Sequence, residues 1–251
     1  MSFVHLERHD DVAAITMSRG KANALNTEMV AELNAAFAQA EGDRDVRAIV
    51  LGSDRPRFFS SGFDATEVFH YDRAAMRAFW MQYNETLERL FRMPKPTIAA
   101  VPGHAFAGGA LLCMACDVRL FAEGDYGFAI SGINIGIALP RGVMQIAIHA
   151  MGVHRAKHLF LTGVTIAPAQ ALASGLAHEL HPAGEIARVA LERAAGLAKK
   201  APTAYAQIKA RYGVLDAPEH PDSDDLEAFL DQWFSDESRA ERDKLLKKLK
   251  D

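Results

Sequence analysis

Cysteine is scarce in this chain: Cys113 and Cys116 are the only two among 251 residues. That is too few for a disulfide framework. They form a C-x-x-C, but within GGALLCMACD, an apolar stretch that opens on glycines and reads as a buried helix. Small thiols pack there as hydrophobes, so no redox or metal role is expected of them. An excess of positive charge is missing too: 28 Lys and Arg stand against 32 Asp and Glu, a formal charge of -4. That balance gives no sign of the basic stripe that nucleic acid or an anionic membrane surface would require. The longest apolar stretches, such as Thr97 to Val101 and Ala110 to Cys116, fall far short of the roughly 20 residues of a membrane span. The opening MSFVHLERHDDV has no basic segment followed by an apolar one, so the cytoplasm is the expected compartment. Also absent are G-x-G-x-x-G, G-x-x-x-x-G-K-[ST] and G-x-S-x-G, which leaves no nucleotide loop and makes Ser60 and Ser61 poor nucleophiles.

What is present is a globular composition, 49% apolar and 24% charged, which suits one sizeable core and small-molecule chemistry. Alternation in Phe3 to Glu7 and Val12 to Met17 around His9-Asp10-Asp11 predicts a hairpin. Apolar positions Met29, Val30, Leu33, Ala36, Phe37 and Ala40 predict a helix over Thr27 to Ala40, capped by Thr27. Ala48 to Leu51 reads as a strand buried on both faces. The loop SDRPRFFSSGFD then leads to a helical region around Thr66 to Met93, and further strands follow at Thr97 to Val101, Val118 to Ala122 and Tyr126 to Ala129. Strand, glycine-bearing turn and helix thus recur about three times without a linker, which predicts one continuous α/β core. From Gly152 the pattern turns helical, with a last short strand at Ala177 to Leu180 and helices near 184–200, 202–213 and 223–249. The end, KLLKKLKD, reads as a solvated face opposite a contact between subunits.

Two turns carry chemistry. In Phe59-Ser60-Ser61-Gly62-Phe63-Asp64, glycine lets the chain bend and a ligand approach the main chain, which makes the Phe63 N–H a candidate donor. Asp64 with Glu67 has the look of a helix cap, and a chemical role for Asp64 stands beside that reading. In GHAFAGGA, Gly108 leaves room for a ligand at the start of a helix, where unpaired N–H groups suit an oxygen gaining negative charge. Two such donors aimed at one carbonyl oxygen constitute an oxyanion hole.

These residues in this order resemble the crotonase, or enoyl-CoA hydratase/isomerase, superfamily over about residues 4 to 200. The likeness rests on Lys21 to Asn26, Val46 to Leu51, Phe59 to Asp64, Lys95 to Val101 with Gly103, and Ala115-Cys116-Asp117. Leu161-Thr162-Gly163, Ala171-Leu172 and Gly175-Leu176 add to it, with Gln170 where the family has Glu. The resemblance implies an α/β spiral of ββα units over residues 1–195 and a C-terminal helical trimerisation region over 196–251. It implies homotrimers or dimers of trimers. By position, Phe63 and Gly108 would donate the oxyanion-hole N–H groups to a thioester carbonyl. Ser61 would meet the adenine end of coenzyme A through its backbone, with Lys21, Ala22 and Ala24 lining that end and Gly62, Asp64 and Gly109 bordering the substrate. Neither a metal nor a cofactor beyond the coenzyme A of the acyl-CoA substrate is implied.

The sequence departs from the family at its acid/base residues. The hydratase glutamate three residues after the oxyanion glycine is replaced by Leu111. The second, four residues before a glycine matching Gly136, is replaced by Gly132. Leucine and glycine transfer no protons, so hydration is expected to be weak. The segments GHAFAGG and SGINIGIALP look most like the branch containing peroxisomal-type Δ3,Δ2-enoyl-CoA isomerases. An isomerase-like enzyme is therefore favoured, with a non-catalytic acyl-CoA-binding homologue as the alternative. Asp64, Glu67, Asp125 and Asn134 are candidate surrogate bases. His104 lies beside the oxyanion turn, at what the resemblance makes a packing position. His154 and His158 are four apart without a third ligand, Arg141 reads as a salt-bridge residue, and Phe69, Tyr71, Phe79, Trp80 and Tyr83 as packing residues that could line an acyl pocket.

Overall fold

The N-terminal alternation folds as the expected hairpin. In the computed structural model, which describes residues 2–212 and 224–250, β1 (Val4–His9) pairs antiparallel with β2 (Val12–Met17). Asp10 takes the left-handed position of the turn at φ 53°, a conformation Asp tolerates better than most residues. After α1 (Thr27–Gly42), the chain alternates long and short strands: β3 (Ala48–Ser53) and β4 (Phe58–Ser60), β5 (Thr97–Val101) and β6 (His104–Phe106), β7 (Val118–Ala122) and β8 (Phe128–Ala129). Helices α2 (Ala65–Val68) and α3 (Arg73–Arg92) follow β4, and α4 (Gly108–Ala115) follows β6. A 3-10 turn, Gly132–Ile135, and α5 (Arg141–Met151) follow β8. Then come α6 (Val153–Thr162), α7 (Pro168–Ala173), β9 (Glu179–His181), α8 (Ile186–Ala198), α9 (Pro202–Tyr212), α10 (Asp224–Trp233) and α11 (Asp236–Lys250).

The long strands form a six-stranded sheet in the order β1-β2-β3-β5-β7-β9, parallel from β2 onward. Ile15, Ile49, Leu51 and Ala99 belong to the core beneath α1, α3 and α4, whereas Val12, Val50, Ile98 and Leu120 pack with Val189, Ala190 and Ala194 of α8. Both faces are covered, which is why β3 is a continuous apolar run. The α8 helix on the second face runs across residue 195, where the sequence suggested a change of region. The short strands form a second sheet, β4-β6-β8, all parallel.

Several local expectations are corrected. Asn26, not Thr27, caps α1: its Oδ1 accepts the Met29 N–H at 3.0 Å, while the Thr27 hydroxyl lies 2.7 Å from that of Tyr71. Strands β4 and β6 lie within segments read as loop and turn. The 66–93 region is two helices, because Asp72 starts a new one by accepting the Ala75 N–H at 2.8 Å. The 223–249 region is likewise α10 and α11, with α10 laying Phe229 on Trp80 at a ring distance of 4.1 Å. The predicted ends at residues 213 and 223 lie outside the described residues. Cys113 and Cys116 are fully buried and unpaired, and burial pushes the Cys113 thiol up to about 12 and Cys116 higher still, which removes thiolate chemistry.

Candidate active site

Neighbouring parallel strands release their chains at the same edge of a sheet, where open α/β sheets place their ligands. The three short strands do this three times. After β4 comes Ser61-Gly62-Phe63, after β6 comes Ala107-Gly108-Gly109, and after β8 come Ile130, Ser131 and Gly132. The first two turns touch. A Cβ on Gly62, whose φ is 89°, would lie 2.8 Å from the Ala107 Cβ and 3.3 Å from the Gly108 nitrogen. A Cβ on Gly108 would lie 2.7 Å from the Phe63 ring, and one on Gly109 2.5 Å from the Ser60 Cβ. Ala107 is held at φ 46°, ψ -117°, a conformation that costs an alanine on the order of 1–3 kcal/mol.

The main chain directs two amides into this corner. Leu25 bridges the first turn in parallel fashion, donating to the Gly62 carbonyl at 2.7 Å and accepting the Asp64 N–H at 2.8 Å. A parallel bridge uses the residues on either side of Phe63 and turns the Phe63 N–H the other way. Gly108 is the first residue of α4, so its N–H has no carbonyl a turn earlier to meet. Among the described residues neither amide donates to an acceptor. Tyr83, fully buried, donates its hydroxyl to the Gly108 carbonyl at 2.7 Å and fixes the second turn, its own deprotonation suppressed by burial. The Phe63 ring is clasped edge-on by Phe79, Trp80 and Tyr83 at 4.9 to 6.0 Å. The aromatic residues of α3 therefore form the wall behind the turns.

The Lys21 to Leu25 segment is pinned to the same corner. Asn23, buried at φ 49°, donates to Ser53 Oγ at 2.7 Å and to the Phe59 carbonyl at 3.1 Å, and accepts the Arg19 N–H at 2.7 Å. Ser60 Oγ donates to the Asn23 carbonyl at 2.7 Å and accepts the Gly62 N–H at 3.1 Å. The Ser61 N–H is taken by the Ala22 carbonyl at 2.9 Å, which leaves the carbonyl as the remaining backbone group of Ser61. The Ala24 carbonyl accepts from Arg19 at 2.8 Å, and Lys21 is exposed at the rim.

No proton-transfer group stands at either position where the resemblance places one. Leu111 lies one turn into α4 and is buried; Gly132 opens the 3-10 turn, and a Cβ there would come 3.3 Å from Ile137 Cγ1. Of the surrogates, Asp64 and Glu67 are occupied. Asp64 caps α2, accepting from the Thr66 N–H at 3.0 Å and hydroxyl at 2.6 Å, and pairs with Arg19 at 2.7 Å. Burial alone would raise its pKa, but these bonds outweigh it and hold the carboxyl below its ordinary value. Glu67 accepts from Asn26 at 2.9 Å and from the Tyr71 hydroxyl at 2.5 Å. Asp125 is exposed, and Asn134 reaches the Gly163 carbonyl at 3.4 Å. His104 accepts the Gly127 N–H on Nδ1 at 2.9 Å among the rings of Phe58, Phe106 and Tyr126. Burial and the Arg57 charge lower its pKa, so it stays a neutral packing residue near pH 7. His154 and His158 are exposed on α6, and Arg141 starts α5, its N–H 3.3 Å from an Asp225 oxygen. Among the described residues no group of three or more His, Cys, Asp or Glu gathers as a metal site, and no helix is long and apolar enough to cross a membrane.

With this geometry in place, comparisons with known proteins agree on one family. The enoyl-CoA hydratase/isomerase family model matches residues 7–237. The chain belongs to that family. It is 32% identical to the short-chain-enoyl-CoA hydratase of Clostridium acetobutylicum over 80% of this chain and 77% of that protein. It is 27% identical to rat mitochondrial enoyl-CoA delta isomerase 1 over 73% of this chain and 64% of the rat protein, just under two thirds of its length. Its structure superposes on the crystal structure of human mitochondrial delta3-delta2-enoyl-CoA isomerase with a TM-score of 0.92 at 25% identity, covering 99% and 98% of the two chains. The crotonase fold and the isomerase-like branch follow. Family membership explains the pairing of the two turns but does not assign Arg19, Asn23 or the Tyr83 hydroxyl. Of these only Asn23, an asparagine in a short alanine-flanked turn, carried a sequence signal, since Asn is enriched at positive φ.

Proposed function

We propose that the chain binds an acyl-CoA thioester and stabilises its enolate through the N–H groups of Phe63 and Gly108, acting as an enoyl-CoA isomerase rather than a hydratase. The observation that carries this reading is the pair of unpaired amides on touching turns. Each such donor contributes about 3–4 kcal/mol to stabilising a developing oxyanion. Lys21, Ala22, Ala24 and the Ser61 carbonyl receive the adenine end, and coenzyme A is the only carrier involved. Isomerisation passes one proton from C2 to C4 through a single group where hydration needs two, so the loss of carboxylates at 111 and 132 weighs more heavily on hydration, and Glu67 and Asp64 beside the first turn are the carboxylates left to carry that proton. The exposed Ile148, Val153 and Leu161 of α5 and α6 support a homotrimer or pair of trimers, with the cytoplasm as its compartment.

The test is to offer purified protein 3-enoyl- and 2-enoyl-CoA esters of several chain lengths and follow thioester conjugation optically. Conversion of the 3-enoyl ester without hydration of the 2-enoyl ester is the expected result. A second reading, an acyl-CoA-binding protein without turnover, is favoured by the engagement of Asp64 and Glu67 in local bonds. It requires affinity for the esters with no conversion, and it predicts that Gly132→Glu creates isomerase activity, because only the flexible Ile137 side chain and its carbonyl crowd that Cβ.

A further inference from the structure

At the end of α4 away from Gly108, a cavity of about 400 Å³ opens beside Cys116 and Asp117. Arg119 forms part of its wall and is only 5% exposed. Its Nε donates to the Leu176 carbonyl at 2.6 Å and its Nη1 to the Cys116 carbonyl at 2.7 Å. Among the described residues Nη2 donates to nothing and no carboxylate pairs with the guanidinium. Asp117, the acid of this cavity, is already engaged: its Oδ2 accepts from the Thr97 N–H and hydroxyl at 2.9 Å each, from the Tyr205 hydroxyl at 3.1 Å and from Lys209 at 2.8 Å. One carboxylate therefore faces two cations. Burying a charge without a partner is costly, and an anion that joins it recovers much of that cost.

A second donor stands on the same wall. His178 Nδ1 accepts the Arg119 N–H at 3.1 Å, so the proton of its neutral ring sits on Nε2, which has no partner among the described residues. Desolvation and the Arg119 charge beside it lower the pKa of this ring and keep it a neutral donor near pH 7. The carbonyls at a helix C-terminus repel anions, but Arg119 bonds the Cys116 carbonyl at that end of α4 and offsets the effect. The rest of the lining is mixed, with Asp117, His149 and Lys209 beside the apolar Phe91, Met114 and Ala150 and the ring of Tyr212. The volume lies at the small end of ligand sites, which suits a body of a few carbons.

We propose that this cavity binds a short-chain carboxylate, its head on Arg119 Nη2 and His178 Nε2 and its apolar body against Phe91, Met114 and Tyr212. Inorganic phosphate satisfies the head but leaves the apolar lining wet, so it binds more weakly. The site is separate from the acyl-CoA corner and does not depend on the reading given for it.

Isothermal titration of the full chain at constant ionic strength, with sodium butyrate, sodium hexanoate and inorganic phosphate, tests this. Expected are one saturable carboxylate site per chain, phosphate at least tenfold weaker, and at least tenfold weaker carboxylate binding in Arg119→Lys and in His178→Ala. Because Arg119 also holds the end of α4, circular dichroism accompanies its variant, and His178→Ala, at an exposed position, decides the matter if Arg119→Lys fails to fold. Gly108→Val should leave carboxylate binding unchanged. Absence of saturable binding, undiminished binding in His178→Ala, phosphate binding as tight as butyrate, or loss of binding in Gly108→Val would each overturn the proposal.

Discussion

The two sheets are laid down by the same chain in alternation, a long strand and then a short one, yet they serve different ends. The large sheet has strands of five or six residues apart from β9, and covers both faces with apolar side chains. The small sheet has strands of three, three and two residues, too short to be stable by themselves. They persist because each is tied directly to a long strand already fixed in the core. Stability resides in one sheet and geometry in the other, so a change of similar size should affect folding in the first and ligand handling in the second.

The sharpest version of that contrast uses two glycines. Gly108→Val puts side-chain atoms where the Phe63 ring already stands, and on the proposed function turnover should fall by on the order of 10²–10³-fold or beyond detection. Gly52→Ala in β3 meets only the Ala100 Cβ at 3.8 Å and should leave activity and thermal midpoint nearly unchanged. Steady-state kinetics and thermal melts of both variants check this; a Gly108→Val protein with full turnover would break the comparison at its centre.

Next comes the core of the large sheet. Leu51 is fully buried in β3, and Leu51→Ala should cost about 2–5 kcal/mol of stability in denaturant titrations. Affinity for an acyl-CoA should change little in the molecules that remain folded. Tyr83→Phe makes the opposite separation. It leaves the ring in place and strips the Gly108 carbonyl of its 2.7 Å hydrogen bond, a loss of about 1–3 kcal/mol. Its effect should appear in kcat or acyl-CoA affinity beyond the shift in stability, because the bond positions the second turn.

The same division explains what the sequence made legible. Ala48 to Leu51 and Ile98 to Val101 are continuous apolar runs, Val118 to Ala122 is one broken only by Arg119, and sheet-on-helix burial leaves that mark directly on a sequence. Strands β4 and β6 leave almost none, since three residues cannot display a period of two, and β8 was read only as part of the longer stretch Tyr126 to Ala129. Their ends were legible for another reason: Gly62, Gly108 and Gly109 are required by close approach of backbone and side chains, and glycine is conspicuous. The hydrogen bonds that aim the turns were not legible. Arg19 and Tyr83 reach Asp64 and Gly108 across 45 and 25 residues, and no local pattern encodes such a meeting. The cap at Asp64 was read from its spacing, but the Arg19 pair that occupies its other oxygen was not.

That pair gives the smallest effect and the most direct check on whether Asp64 is structural. Asparagine can still cap α2, so Asp64→Asn removes the charge opposite Arg19 while keeping the helix start. The folded-state pKa of Asp64 lies below its unfolded value, so the carboxylate contributes stability above the unfolded value, near pH 4, and loses it as pH falls through the lower folded value. The difference in stability between wild type and Asp64→Asn should therefore be flat above about pH 5, no larger than about 1 kcal/mol, and vanish on acidification. Thermal melts from pH 7 to pH 3 measure it. A variant as stable as wild type throughout, but with turnover lost, would move Asp64 from the scaffold to the chemistry and reinstate it as the base that Leu111 and Gly132 lack.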